Sequence, residues 1–168
     1  MSASQSILEL VAAAQATAKT SEDRISEITK LMGGQAGSDA QVEELRAAAV
    51  ALELAAIDIF SLFEARMQHH FRRGPFSRKL KSLLIESGQV ALAGRVHQFY
   101  LAINVLKHGK GASYRELLNA PSSLLVVKPA EDNSTDGASP GLVDVTVPGF
   151  FEGLTSTILE AYHFLEGR

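Results

Sequence analysis

The chain has 168 residues, 46% of them apolar and 21% charged, with no cysteine and no tryptophan. That length suits one ordinary domain whose core needs no staples, and the apolar content excludes a wholly disordered protein. Without cysteine there is no disulfide framework, thiolate metal site or cysteine nucleophile, while a formal charge of −3 argues, by itself, against a nucleic-acid partner.

Residues 4–32 read as a helical arm, with a break or kink predicted near Thr20, because Thr20 or Ser21 ahead of Glu22 and Asp23 is a helix-start signal. Ile25, Ile28, Leu31 and Met32 supply its apolar stripe, and Gly33-Gly34 ends it. Ser38 or Asp39 then caps a spine helix over 39–71, roughly 50 Å long at the usual rise. Its apolar residues occupy more than one face, so it should pack on more than one side. The apolar run Ala47–Phe63 inside it carries Glu53 and Asp58, which argues against a membrane span. No signal-peptide pattern is present at the start, so the expected compartment is the cytoplasm.

Gly74-Pro75 closes the spine and opens a basic helical segment over 77–118, punctuated by Gly88, Gly109 and Gly111. Two β-prone runs follow, Leu124–Val127 and Leu142–Val147. They predict a small β-hairpin over 123–147 with a flexible loop at 128–141, rich in Pro, Asp, Asn, Ser and Gly. Pro148-Gly149 ends it, and 150–166 reads as the C-terminal helix. The expected fold is one mainly α domain: a bundle of four to five long helices with the hairpin before the last. Alanine-rich helices with little surface charge further predict a homodimer.

The net charge hides a strong asymmetry. From Glu64 to Arg115 there are ten cations and two carboxylates, so this stretch carries +8 and the remainder −11. A polyanion-binding surface would need such a stretch, although packing against acidic helices of the same fold or of a second subunit also accounts for it. Within it, His97, Tyr100, Asn104 and His108 are spaced to share one helix face, with Lys107 beside them and Val96, Phe99, Ile103 and Leu106 opposite. Such a stripe can exchange hydrogen bonds and protons near neutral pH, or can form a polar seam across a dimer interface.

The end of that stripe, Ile103-Asn104-Val105-Leu106-Lys107-His108-Gly109, resembles the signature turn of HEPN domains. These are helical bundles common in prokaryotic toxins, phage-defence systems and RNA-processing enzymes. Their pattern is an Arg, a polar residue such as Asn, and a His a few residues later, often followed by Gly. Asn104, His108 and Gly109 match, whereas the Arg position holds Ile103. The resemblance implies a protein that binds RNA and, where the catalytic pair is complete, cleaves it without metal. His108 would then move a proton, with Asn104 beside it as the second catalytic residue. His97, Tyr100, Lys107, Lys110 and Arg95 would bind substrate, a cation among them replacing the missing Arg. A lysine is a point charge without the guanidinium fork, so loss of the Arg leaves open a noncatalytic RNA binder or a noncatalytic homodimeric scaffold.

Other chemistry finds little support. Glu64, His69, His97 and His108 lack chelating helical spacing, so no metal site and no cofactor are expected. His69-His70 reads as a cationic end to the spine helix. Asp58 sits in apolar surroundings and needs a partner, either a structural ion pair or a histidine of the stripe. Gly109-Lys110-Gly111 is too short for a phosphate-cradling loop, no nucleophile elbow occurs, and no DNA-specific motif is found.

Overall fold

The computed structural model describes residues 6–120, 123–129 and 141–168. These form six α-helices in the order α1 (Ile7–Met32), α2 (Asp39–Met67), α3 (Phe76–Glu86), α4 (Val90–His108), α5 (Ala112–Asn119) and α6 (Phe150–Glu166). A short 3-10 helix, Gln68–His70, extends the end of α2.

Helices α1 and α2 start in the same way. Ser6 and Ser38 each accept a bond from the backbone N–H three residues on, and the side chains of Glu9 and Gln41 reach back to the capping N–H. Such reciprocal boxes satisfy donors that the first turn leaves unpaired. Gly33 ends α1 in the left-handed conformation, at φ 56°, and returns its N–H to the carbonyl of Lys30. The two helices then lie together as a hairpin, with Arg24 of α1 reaching Glu44 of α2 at 2.5 Å.

The predicted break near Thr20 does not occur, and α1 is continuous through it. Thr20 turns its hydroxyl back to the Ala16 carbonyl at 3.2 Å, so it acts as an interior helical threonine rather than a cap. Ala18 and Ile28, on either side of it, are buried in the same packing.

α2 packs on α1, α4 and α6, as its several apolar faces require, and α4 packs on α2, α3, α5 and α6. The centre of the core is aromatic: Phe60, Phe63 and Phe99 are all at most 2% exposed. Phe63 meets Phe76 edge-on at 5.4 Å and Phe99 meets Phe150 at 5.9 Å, tying α2 to α3 and α4 to α6.

The predicted β-hairpin is also corrected. The described residues contain no strand, only one isolated antiparallel bridge between Val127 and Val143. Two backbone bonds make it, Lys128 N–H to Leu142 and Asp144 N–H to Val126. The Asp144 carboxylate accepts from both the N–H and the hydroxyl of Thr146, curling the chain before the alternating run can extend. Leu125, Val143 and Val145 go into the helical core instead. The expected tip of the loop, 130–140, lies outside the described residues. Among the described residues, no helix is long and apolar enough to cross a membrane.

Candidate functional site: the α4 stripe and the basic corner

Helical spacing places His97, Tyr100 and Asn104 along one side of α4, and α5 folds back over that side. Gly109 (φ 72°) allows the chain to reverse there, and α5 begins three residues later. The Nε2–H of His97 donates to the carboxylate of Glu116, and its ring stacks near Tyr100 at 6.3 Å between centroids. The Nδ2–H of Asn104 donates to the Ser113 hydroxyl at 3.2 Å. Arg95, two residues before His97 and so on another side of α4, forms an ion pair with Glu160 of α6. His97 and Asn104 of the polar stripe are therefore bonded within one chain, with α5 supplying both partners.

The remaining residues of the stripe are arranged differently. His108 is exposed at the end of α4 and has no hydrogen bond or ion pair among the described residues. Lys110 is likewise exposed and unpaired among them. Lys107 is exposed and acts electrostatically on Glu64 of α2. Ile103, at the Arg position of the HEPN-like turn, is 1% exposed and belongs to the core. An arginine there would lie among apolar side chains, where an unpaired charge is costly. Asp58 faces neither His97 nor His108 but lines an open groove between α1 and α2.

Glu64 joins the stripe to the rest of the basic segment. It accepts from the Ser77 hydroxyl at 3.4 Å, so the end of α2, the start of α3 and the end of α4 meet there. Burial raises its pKa, and Lys107 and the Ser77 bond pull the other way without cancelling the rise.

The turn between α2 and α3 forms a basic corner. His70, Phe71, Arg72, Arg73 and Lys79 line an open cavity of about 500 Å³. None of Arg72, Arg73 or Lys79 has an ion-pair partner among the described residues. Gly74, at φ 94°, lets the turn close, and a Cβ there would come within 2.8 Å of Lys79 Cε. The stem of Lys79 therefore rests directly on glycine backbone. No side chain caps the N-terminus of α3, where Pro75 precedes the first turn. These N–H groups and the helix dipole add to the positive field.

The sequence marked these cations as part of a basic stretch without bringing them together as a site. The signal present was Arg72-Arg73 beside Gly74-Pro75, two cations at the mouth of a forced turn. His69, His70 and Glu166 form the one group among the described residues that brings three metal-ligating side chains together. The chain matches no known protein-family model, no curated protein and no solved structure.

Proposed function

We propose that this is a helical, HEPN-like protein of the cytoplasm that binds RNA through its basic corner and does so without cleaving it. The observation that carries this reading is the division of labour between the two polar regions. His97 and Asn104 spend their hydrogen bonds on Glu116 and Ser113, while Arg72, Arg73 and Lys79 line a cavity with their charges uncompensated. General acid–base catalysis needs a proton carrier beside a group that stabilises the developing charge. His108 stands alone in the place of the first, and buried Ile103 stands in the place of the second. Binding of a phosphate backbone needs only accessible cations, and it weakens as salt rises because neutralised phosphates release counterions. A toxin or phage-defence setting follows from the HEPN resemblance alone.

The test is fluorescence anisotropy with a short single-stranded RNA in EDTA. We expect affinity to fall steeply with salt. An Arg72→Ala/Arg73→Ala double variant should bind more weakly, with the log–log salt slope shallower by about 1.4, about 0.7 for each cation removed on a single strand. His108→Ala should bind as the wild type does, and the RNA should remain intact throughout. RNA affinity independent of salt would refute the binding reading. Cleavage lost in His108→Ala would replace it with a nuclease.

A second reading, self-association, is favoured by a different surface. Leu54 and Leu62 are 55% and 38% exposed and, with Asp58, occupy successive turns on one side of α2. Beside them Leu10, Ala13 and Thr17 of α1 line the groove, which measures about 210 Å³. An apolar face of this kind on two long helices is what an isologous dimer would cover.

A further inference from the structure

The 3-10 helix at the end of α2 presents two imidazoles to the last turn of α6. The rings of His69 and His70 lie 4.2 Å apart, and Glu166 approaches His70 Nε2 to 3.6 Å. One ligand atom from each of His69, His70 and Glu166 lies within 4.8 Å of the other two. His70 Nε2 is buried and has no hydrogen-bond partner. A buried ring nitrogen without a hydrogen bond, its facing carboxylate 3.6 Å away, calls for an explanation, and an ion bound between the two is one such explanation. His69 supplies a further sign. Its Nδ1 lies 2.8 Å from the Arg66 carbonyl, and a carbonyl only accepts, so Nδ1 carries the proton and Nε2 keeps its lone pair. Metal-binding histidines are oriented by this kind of outer hydrogen bond.

We propose that His69, His70 and Glu166 hold a divalent first-row transition ion, zinc foremost. Two imidazoles and one carboxylate suit zinc, whereas magnesium and calcium prefer oxygen ligands alone. Three protein ligands leave a tetrahedral ion one position for water or for an anionic group. His70 also lines the basic cavity, so Arg72, Arg73 and Lys79 stand on the side from which an anion would arrive. The same cations repel a metal ion, and Glu166 supplies only one negative charge against them. Binding in the micromolar range is therefore expected rather than the tighter binding of an all-thiolate centre. This inference is independent of the RNA reading, since neither its ligands nor its readout involves RNA.

The experiment uses the full chain, stripped with EDTA and dialysed, then titrated with zinc chloride in a calorimeter and with cobalt chloride under visible absorption. One zinc per chain is expected, together with cobalt bands of the intensity of a low-symmetry, protein-bound ion. His70→Gln and Glu166→Gln should each weaken binding at least about tenfold, the scale on which even outer partners of metal ligands act. His69 is exposed, so His69→Gln tests the same centre if the other two variants lose helical circular dichroism. A zinc Kd weaker than about 1 mM would reject the site. So would a folded His69→Gln protein that binds as the wild type, or a cobalt spectrum of the hydrated ion.

Discussion

Glu64 shows at the scale of one residue how burial and charge combine in this segment. Burial raises its pKa above the ordinary carboxylate value, against the pull of Lys107 and the Ser77 hydroxyl. The folded chain therefore holds this proton more tightly than the unfolded chain. As pH rises from the unfolded pKa through the raised folded pKa, stability is lost, and above that window the loss is constant. Glu64→Gln should keep the bond with Ser77 while removing the ionisation. We expect a higher urea midpoint than wild type at neutral pH and matching midpoints where both carboxyl states are protonated. Equal midpoints at both would show that Lys107 fully compensates the charge. The sequence made the shared face of His97, Tyr100 and Asn104 legible, because helical spacing alone sets it. Their partners were not legible, since Glu116 and Ser113 reach them only after the chain reverses at Gly109.

Helices were the most legible elements, for reasons visible at their ends. Ser38 with Gln41, and Gly33 after Met32, are local signals whose chemistry is complete within a few residues. Ser38→Ala should therefore destabilise the protein by about 1 kcal/mol in urea unfolding, with its fold unchanged, because the Gln41 N–H loses its acceptor. A change well under that scale would mean that packing of α2, rather than its cap, fixes the start of the helix. The false break at Thr20 had the same local signal, a hydroxyl ahead of two acids. There α1 runs on against α2 and α6, and tertiary packing overrides a cap whose donors are already used within the helix. The hairpin failed for the opposite reason. Its runs had β-prone residues, but only two backbone bonds form among the described residues and the core takes Val143 and Val145.

Across the whole molecule, the segregation of charge was legible because it is a sum over sequence, whereas the corner that concentrates it is a property of the fold. The bond of Glu64 with Ser77 and its electrostatic interaction with Lys107 relate three helix ends. Self-association also belongs at this scale. If the α1–α2 face is an interface, light scattering after gel filtration should give twice the 18.0 kDa chain mass. Leu54→Glu/Leu62→Glu should give the single-chain mass with unchanged circular dichroism. A wild type that stays monomeric at high concentration would exclude the interface, and a double variant that stays dimeric would move it elsewhere.

Gly74 links the shape of a turn to the spacing of charges. The stem of Lys79 rests on its bare backbone, so a methyl group added there would displace a cation as well as strain the turn. The backbone of this turn thus bears on where one ammonium stands in the cavity that Arg72 and Arg73 also line. If the cavity binds an anion as proposed, a side chain acquired at this position would move that ammonium and strain the turn together. On the RNA-binding reading, a change at Gly74 would weaken affinity with every cation still in place.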